Sequence, residues 1–225
     1  MDWTRQCAAV IPCFNEAASI QEVVAGVRRF LSNVIVVDDG STDATAVRAT
    51  SAGADVVRHP VNRGKGAALQ SGWRQAREKG FVWAMTLDGD GQHSPEDIPA
   101  FFAAAEKSGA PMLVGNRMDH PEGMPWLRRQ VNRWMSRRLS RFVGAPLADS
   151  QCGFRLVNLD ALSRLRLAAD RFEIESEMLV AFLAAGRQVA FIPIQAIYKS
   201  NLSKIHPLVD TWRWFRWWFA RHKRP

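Results

Sequence analysis

Two aspartates separated by one glycine, Asp88 and Asp90, form the sharpest chemical pattern in this sequence. They follow the apolar segment 82–87, which places them on a turn leaving a buried strand. Two carboxylates so placed can bind a hard divalent cation and leave positions open for phosphate oxygens. Gln92 can add a neutral oxygen ligand. The alternative, a plain Asp-Gly turn, is less favoured because further acids follow other predicted strands.

Those further acids come after two other apolar segments. Glu16 follows the segment 8–11, and Asp38 and Asp39 directly follow the segment 34–37. In an open parallel sheet, ligands bind beyond the carboxyl ends of the strands, which meet at one edge. Carboxylates crowded at that edge are costly unless a cation or hydrogen-bond donors compensate them. The pattern therefore predicts a ligand site at this edge.

A glycine-rich segment with one lysine opens a predicted helix: Asn62-Arg63-Gly64-Lys65-Gly66-Ala67-Ala68. Backbone amides at a helix N-terminus favour anionic groups, and Lys65 adds a positive charge. The spacing is not that of the phosphate loop of nucleotide hydrolases, whose glycines lie further apart and whose lysine precedes a hydroxyl. A plain helix N-terminus is an equally good interpretation.

The elements that must position these residues alternate in the first half of the chain, which is typical of a parallel sheet covered by helices. Strands are predicted at residues 8–11, 34–37, 55–57, 82–87 and 112–114, and helices at 17–31, 44–52, 67–79 and 95–107. Further on, helices are predicted at 126–142, 174–185 and 207–222, and strands at 154–157 and 188–194. The predicted fold class is α/β, with a mostly parallel central sheet, helices on both faces and a C-terminal amphipathic helix.

Length and composition fit one globular domain or one domain with an appendage, since the chain has 225 residues. No apolar run approaches the roughly 20 residues that span a bilayer, and the first residues lack the pattern of a signal peptide. We therefore expect a cytoplasmic protein. Its three cysteines are predicted to be reduced and buried.

The net charge of +8 is concentrated in two segments. Residues 126–142 contain six arginines and residues 212–225 contain five basic residues, with no acid in either, so the rest of the chain carries −3. This distribution implies an anionic partner: nucleic acid, acidic lipid or a phosphorylated substrate. The alternative is a solvated charged surface. Nucleic acid is not the expected partner, because the acids at the strand ends would repel it.

Helical periodicity assigns faces to both basic segments. The first has a row of arginines on one face: Arg129, Arg133, Arg137 and Arg141. Its apolar side holds Arg128, Val131, Met135, Leu139 and Phe142. In the tail, one side holds Leu208, Trp212, Phe215, Trp218 and Phe219. The tail helix either packs on the core or lies on an anionic membrane surface; we favour the membrane, because four of the nine tryptophans fall in this tail.

Together the motifs resemble family 2 glycosyltransferases of the Rossmann-like GT-A fold, and within them the dolichol (polyprenyl) phosphate mannosyltransferase branch. The first half carries Val10-Ile11-Pro12-Cys13-Phe14-Asn15-Glu16, Val36-Val37-Asp38-Asp39-Gly40-Ser41-Thr42-Asp43, Asn62-Arg63-Gly64-Lys65-Gly66 and Leu87-Asp88-Gly89-Asp90-Gly91-Gln92-His93. The second half carries Gly115-Asn116-Arg117, Asp149-Ser150-Gln151-Cys152-Gly153-Phe154-Arg155, Phe172-Glu173-Ile174-Glu175-Ser176-Glu177-Met178 and Ser203-Lys204-Ile205-His206-Pro207. The resemblance implies a catalytic domain over residues 1–206, with a nucleotide-sugar half to about residue 117 and an acceptor half from about 118, followed by a basic tail at 207–225.

The resemblance also implies roles for matching positions. Lining the nucleoside pocket would be Pro12, Phe14, Glu16 and Asp39. Mg²⁺ or Mn²⁺ would be held against the diphosphate by Asp88, Asp90 and Gln92. Arg117 and Arg128 would meet the acceptor phosphate, and Ser203 with Lys204 would close over the donor. The sequence departs from the family pattern at Gly89, where alanine is commoner, at Gln151-Cys152 and at Asn132.

The expected reaction is metal-dependent, inverting transfer of a sugar from a GDP- or UDP-sugar to a polyprenyl-phosphate-like lipid at the inner face of a membrane. The metal and Lys204 would stabilise the charge of the leaving nucleotide diphosphate, with Asp90 and Arg117 as catalytic candidates. A phosphate acceptor needs no general base, whereas a hydroxyl acceptor does. Asp149 is the candidate base or acceptor-positioning group; alternatively, it only holds Arg155.

Other functions stay open at this point. The enzyme alternative is transfer to a hydroxyl of another lipid, a polyene or a glycan. The non-enzyme alternative is a protein that binds a nucleotide sugar or nucleic acid without catalysis, disfavoured because the Asp-x-Asp motif is intact. A membrane-protein partner is compatible with each enzyme interpretation.

Overall fold

A computed structural model of the chain describes residues 1–198 and 214–219. Within them one sheet is built from seven strands: β1 (Cys7–Cys13), β2 (Val34–Asp38), β3 (Asp55–Arg58), β4 (Trp83–Thr86), β5 (Met112–Asn116), β6 (Arg155–Asn158) and β7 (Val189–Pro193). Their order across the sheet is β3-β2-β1-β4-β6-β5-β7. Neighbouring strands are parallel, except that β6 runs antiparallel to β4 and β5. The predicted mostly parallel α/β sheet is confirmed.

The helices follow the predicted alternation with shifted ends. They are α1 (Trp3–Gln6), α2 (Ile20–Arg28), α3 (Thr45–Ser51), α4 (Lys65–Glu78), α5 (Ile98–Ser108, after a 3₁₀ turn at Pro95–Asp97), α6 (Trp126–Val143), α7 (Leu159–Ser163), α8 (Ile174–Ala184) and a helical segment at residues 214–219, here α9. Helix α4 begins two residues earlier than predicted, at Lys65, which places this lysine in its first turn. Helix α2 begins three residues later than predicted, because residues 15–17 are bonded to the loop after β2 instead. The short helices α1 and α7 were not predicted.

Both faces of the sheet centre are covered. Successive strand residues point to opposite faces, and every residue from Ala8 to Ile11 is fully buried. Strand β2 is likewise buried along its whole length. Such strands appear in the sequence as continuous apolar runs, because neither face meets water. This explains why the apolar runs located them.

One edge of the sheet gathers the loops that carry the polar motifs. The carboxyl ends of the parallel strands lie there, so the loops after β1, β2, β4 and β5 converge. Because β6 is antiparallel, Arg155 pairs with Thr86 at this same edge. The reversal of β6 therefore brings the residues before it, from Asp149 onward, to the end of β4.

The buried face of α6 differs from the predicted one. Its buried residues are Asn132, Met135, Ser136 and Leu139. Val131 is half-buried and Phe142 is 44% exposed, so neither belongs to a continuous apolar stripe. The prediction was right for Met135 and Leu139 and wrong for Val131 and Phe142. Asn132 and Ser136 are buried by hydrogen bonds to the segment around Asp149, a long-range partnership that apolar periodicity does not register.

In the tail, the described segment α9 packs on the protein. Trp214 and Trp218 are buried, and the indole N–H of Trp214 donates to Ser176 on α8 at 3.0 Å. Trp214 is not among the residues predicted for the apolar side of the tail, so the extent of that side is corrected. Phe219 is 58% exposed. The remainder of the predicted helix at 207–222 lies outside the described residues.

Two further expectations concern cysteines and the bilayer. The three cysteines are free and buried, as predicted. Among residues 1–198 and 214–219, no helix is long and apolar enough to cross a membrane.

Packing of α4 on the sheet depends on Gly72. A β-carbon there would overlap Val10 Cγ1 and lie 3.1 Å from Val37 Cγ2. We expect Gly72→Ala to lower the free energy of unfolding by about 1–3 kcal/mol through overpacking, even though alanine is the better helix former. Urea denaturation measures the change. The double variant Val10→Ala/Gly72→Ala should lose less than the sum of the single variants; additive losses would contradict the predicted overlap.

Candidate active site

The Asp-x-Asp turn lies against the N-terminus of α4. Asp88 Oδ1 is 2.5 Å from Lys65 Nζ, and Asp88 Oδ2 is 3.5 Å from His93 Nε2. The same Lys65 ammonium is 2.6 Å from Glu175 Oε1 on α8. One lysine thus joins two carboxylates from elements distant in sequence. The sequence singled out Lys65 and Asp88 but gave Glu175 only the role of a helix-face acid.

Charge sets the protonation of this cluster. Burial alone would raise the pKa of the Asp88 carboxyl, but the charge of Lys65 and the contact with His93 hold it well below its ordinary value. Burial alone would lower the pKa of Lys65, but the charges of Asp88 and Glu175 raise it above its ordinary value. Asp88 and Lys65 are therefore both charged over the physiological range. By contrast, burial and then the charge of Asp88 raise the pKa of Asp90.

Two glycines allow the close packing around Asp88. A β-carbon on Gly153 would lie 2.9 Å from Asp88 Oδ2 and from Lys65 Nζ. A β-carbon on Gly89 would lie 2.5 Å from Cys13 Sγ. The departure from the family pattern at Gly89 thus has a local cause, since Cys13 occupies the space that an alanine methyl would need.

The glycines of the segment 62–68 have a packing role. A β-carbon on Gly64 would overlap the Asp170 carbonyl, and one on Gly66 would lie 2.5 Å from the Ala169 carbonyl. Glu177 accepts hydrogen bonds from Ala168 N (2.9 Å) and Ala169 N (2.7 Å), which fixes that facing segment. Close backbone approach explains these glycines whether or not the helix end also meets an anion.

Asp39 is buried and turned toward the backbone. Its carboxylate accepts hydrogen bonds from Arg63 N at 2.9 Å and Gly64 N at 2.7 Å, and Asp39 Oδ1 is 2.7 Å from His59 Nδ1. His59 Nε2 in turn lies 3.0 Å from Ser71 Oγ. Asp39 thereby fixes the loop that leads into α4. His59 was missed by sequence reasoning, although its place after β3 obeys the strand-end rule.

The loop after β1 carries the other predicted nucleoside contacts. Pro12, the last but one residue of β1, is half-buried, and Phe14 is 39% exposed at the sheet edge. Glu16 N donates to Thr45 Oγ1 at 2.8 Å. Asn15, at a φ of 55°, accepts from Thr42 N at 2.9 Å, so the loops after β1 and β2 are tied together. Asn15 tolerates this backbone conformation better than most residues.

Arg117 and Asp149 form a buried ion pair. Arg117 Nε donates to Asp149 Oδ2 at 2.7 Å and Nη2 to Oδ1 at 3.0 Å, a bidentate arrangement. Asp149 also accepts from Arg117 N, Asn132 Nδ2 and Gln151 N. Burial alone would raise the pKa of Asp149, but the charge and hydrogen bonds of Arg117, with Asn132, lower it.

The alternative in which Asp149 only holds Arg155 is wrong. Arg155 donates instead to three carbonyl oxygens, those of Cys152 at 2.7 Å, Glu175 at 2.7 Å and Ser150 at 3.1 Å. This fully buried guanidinium ties the segment after Asp149 to the start of α8. The sequence drew attention to Asp149 and Arg155, but it did not show that Asp149 pairs with Arg117 or that Arg155 donates to backbone carbonyls.

Arg128 reaches the Asp-x-Asp turn from α6. Its Nη1 donates to Gln92 Oε1 at 3.3 Å, and its guanidinium lies 5.5 Å from the ring centre of Tyr198. The prediction that Arg128 points into the protein is confirmed. Tyr198 was missed, because a lone tyrosine before a lysine carries no spacing signal. Ser203 and Lys204 lie outside the described residues.

Asp88, Asp90 and Gln92 offer a donor set that fits a divalent cation. Carboxylate and amide oxygens are the ligands that Mg²⁺ takes and Mn²⁺ accepts. One oxygen of Asp90 accepts a hydrogen bond from Gln92 N at 3.0 Å. Burial and then the charge of Asp88 raise the pKa of Asp90, and a cation would offset both effects. Within residues 1–198 and 214–219, no three His, Cys, Asp or Glu side chains are grouped to hold a metal, so the third protein oxygen would come from the amide.

The architecture is shared with solved glycosyltransferases. Glucosyl-3-phosphoglycerate synthase from Mycobacterium tuberculosis, in complex with Mn²⁺, uridine diphosphate and phosphoglyceric acid, matches 94% of this chain and 75% of its own with a TM-score of 0.72 at 21% identity. The seven-stranded sheet, together with this likeness, defines the fold class: the GT-A fold found in glycosyltransferases.

Sequence relatives specify the family. The model of glycosyl transferase family 2 matches residues 8–166. UDP-N-acetylglucosamine–dolichyl-phosphate N-acetylglucosaminyltransferase of Methanococcus voltae is 30% identical over 84% of this chain and 84% of its own length. Polyprenol monophosphomannose synthase of Mycolicibacterium smegmatis is 32% identical over 74% of this chain and 66% of its own. The chain belongs to glycosyl transferase family 2 and is a glycosyltransferase.

The buried pair makes a pH-dependent prediction. Asp149→Asn should lower the free energy of unfolding by about 3–5 kcal/mol at neutral pH, because Arg117 is left buried without a counter-charge. The folded-state pKa of Asp149 lies below the unfolded value of about 3.9. Its stabilisation is therefore complete above that unfolded value and is lost as pH falls through the folded one. Denaturation from about pH 7 to about pH 3 should show the wild type approaching the variant at acid pH.

Asp160→Asn serves as the control for that experiment. Asp160 is 66% exposed and only 4.0 Å from Arg77, so its loss should change stability by less than about 1 kcal/mol. If Asp149→Asn differed from the wild type by the same amount at every pH, the ion pair would not be the origin of the effect.

Proposed function

We propose that this glycosyltransferase moves a sugar from a nucleotide-diphosphate donor to a polyprenyl-phosphate acceptor, with inversion at the anomeric carbon. The names of the two relatives state dolichyl phosphate and a polyprenol monophosphosugar. The observation that carries the proposal is the contact of Arg128 with Gln92 at 3.3 Å. This contact brings Arg128, which we assign to the acceptor, to the turn that carries Asp88 and Asp90, which we assign to the donor.

On the donor side, the nucleoside would lie over the loops after β1 and β2. Pro12, Phe14 and Glu16 would line its pocket, and Asp39 would shape it by holding the backbone of residues 63–64. Mg²⁺ or Mn²⁺, when bound, would draw negative charge from the departing diphosphate. Asp88, Asp90 and Gln92 would hold it, and Ser203 with Lys204 would close over the donor.

Lys65 keeps the donor side in its reactive arrangement. Its ammonium is shared by Asp88 and Glu175, so it fixes the Asp88 carboxylate in the ionised state that a cation requires. Because its own charge is balanced by two carboxylates, Lys65 acts on the diphosphate through Asp88. It is a positioning residue.

On the acceptor side, the phosphate would meet Arg128 and Arg117. An anionic phosphate oxygen can attack the anomeric carbon without losing a proton, so no general base is required. Asp149 agrees with this, because five N–H donors occupy its oxygens and its pKa is lowered. We assign it to positioning Arg117. This pair joins the proposed nucleotide-sugar half, to about residue 117, with the acceptor half.

A surface for the membrane extends from the acceptor side. Trp126 is 73% exposed and Leu127 60% exposed at the start of α6, and Phe219 is exposed on α9. The exposed arginines of α6 are Arg137, Arg138 and Arg141, whereas Arg129 and Arg133 of the predicted arginine row are half-buried. Aromatic residues at headgroup level beside basic residues suit an anionic lipid surface. We propose peripheral attachment there, on the cytoplasmic side where nucleotide sugars are available.

The function is tested with purified protein, labelled UDP- and GDP-sugars, undecaprenyl phosphate, and Mg²⁺ or Mn²⁺. One donor should give a labelled lipid only in the presence of a divalent cation. Asp90→Asn should lower turnover at least about tenfold, as loss of metal-site order does. Arg128→Gln should raise the KM for undecaprenyl phosphate while the Kd of the donor stays unchanged.

The matched control is Arg138→Gln, which removes an exposed arginine of the same helix and should leave both constants unchanged in detergent. Undecaprenol replaces undecaprenyl phosphate in a parallel assay. Transfer to the alcohol but not to the phosphate would show that the acceptor is a hydroxyl. Full activity in excess chelator would rule out the metal-dependent reaction.

The membrane surface is tested by sedimentation with vesicles containing phosphatidylglycerol. Wild type should bind, and binding should weaken as salt screens the arginines. Trp126→Ser/Phe219→Ser should lose binding without loss of thermal stability, because both side chains are exposed. Trp214→Ser is the contrasting variant and should destabilise the fold. Equal sedimentation of wild type and the double variant would contradict this surface.

A further inference from the structure

A cavity of about 810 Å³ lies away from the catalytic edge, between the second half of α4 and the segment 159–167. Helix α4 starts at the catalytic edge with Lys65 and runs toward the opposite edge. Strand β6 ends at Asn158, paired with Trp83 at the start of β4, so α7 also lies at that opposite edge. The cavity therefore belongs to neither the donor nor the acceptor side.

Its inner wall is apolar and comes from both segments: Trp73, Leu159, Leu162, Leu165 and Leu167. Leu165 and Leu167 are half-buried, because their side chains cover the wall without closing it. The Trp73 side chain is 5% exposed, and its indole N–H has no hydrogen-bond partner among the described residues. Trp73, Leu159 and Leu162 thus form a buried floor, and the half-buried Leu165 and Leu167 leave apolar surface that a ligand could cover.

The rim of the cavity is basic. It carries Arg74, Arg77 and Arg166, against the single carboxylate of Glu78. Arg77 is 4.0 Å from the exposed Asp160, and Arg74 Nη2 reaches Ser71 Oγ only at 3.4 Å. Arg166 has no ion pair within the described part of the chain. Three exposed guanidinium groups thus surround an apolar wall with little internal neutralisation.

We propose that this cavity binds a small anionic amphiphile, meaning a molecule with one phosphate or carboxylate group on an apolar body. The arginine fork matches both headgroups by paired, charge-assisted hydrogen bonds. The leucines and Trp73 would take the apolar body. The cavity volume lies in the range of small-molecule sites.

The test is calorimetric titration of the whole chain with decyl phosphate below its micelle concentration, beside decanoate, decanol and inorganic phosphate. Decyl phosphate or decanoate should bind. Decanol and inorganic phosphate should bind more weakly, because decanol lacks the anionic group and inorganic phosphate lacks the apolar body. Arg77→Gln/Arg166→Gln should weaken the binding at least about tenfold by removing charged hydrogen bonds. Thermal melting checks that this variant is folded.

Two controls separate this site from others. Arg164→Gln removes an exposed arginine of the same segment that does not line the cavity, and should leave affinity unchanged. Arg128→Gln removes the proposed acceptor contact and should also retain this binding. Unchanged affinity in the rim variant, or binding lost only in Arg128→Gln, would overturn the proposal. If inorganic phosphate bound as tightly as decyl phosphate, the apolar body would contribute nothing to affinity, and the proposal of an amphiphilic ligand would be overturned.

Discussion

Negative charge withdrawn from water at one edge of the sheet is the constraint on which the rest of this structure depends. Several carboxylates are gathered around that edge, among them those of Asp39, Asp88, Asp90, Asp149 and Glu175. Buried carboxylates are tolerated only with nearby positive charge or hydrogen-bond donors. Lys65 neutralises two of them and an arginine a third. Asp90 forms no ion pair within the described residues, and burial and then the charge of Asp88 raise its pKa, so one more positive charge would be favoured there.

The path of the chain follows from this compensation. Lys65 must stand at the N-terminus of α4, so the preceding loop passes close to the backbone of residues 169–170, where only glycine fits. Glu175 must approach from α8, and Arg155 holds the start of that helix through the Glu175 carbonyl. The antiparallel direction of β6 makes this contact possible, because it places Arg155, the first residue of the strand, at the catalytic edge beside the end of β4.

The predictable part of the structure lies in local patterns. Buried strands read as apolar runs, and polar residues just beyond them read as site residues, which located Asp88, Asp39 and the fold class. Partner choice was not predictable, because it depends on contacts between distant segments. The family resemblance singled out Asp149, but it did not show that the carboxylate pairs with Arg117 and not with Arg155. The sequence likewise shows how many tryptophans the tail contains, but it does not show that Trp214 donates a hydrogen bond to Ser176 on α8.

Two departures from the family pattern, at Gly89 and Asn132, also depend on contacts between distant segments. In each case a neighbouring side chain accounts for the residue found here. Gly89 replaces the commoner alanine where Cys13 Sγ takes up the space. Asn132 stands where serine is often found, yet its amide donates to Asp149 at 2.9 Å and its carbonyl oxygen accepts from Ser136 at 3.3 Å. An amide thus supplies the donor that a hydroxyl would supply and adds an acceptor for a second buried hydroxyl. Asn132 therefore helps to keep the oxygens of Asp149 occupied by N–H donors. A carboxylate held in this way positions Arg117 and is not free to accept a proton, which agrees with the proposed transfer to a phosphate that needs no general base.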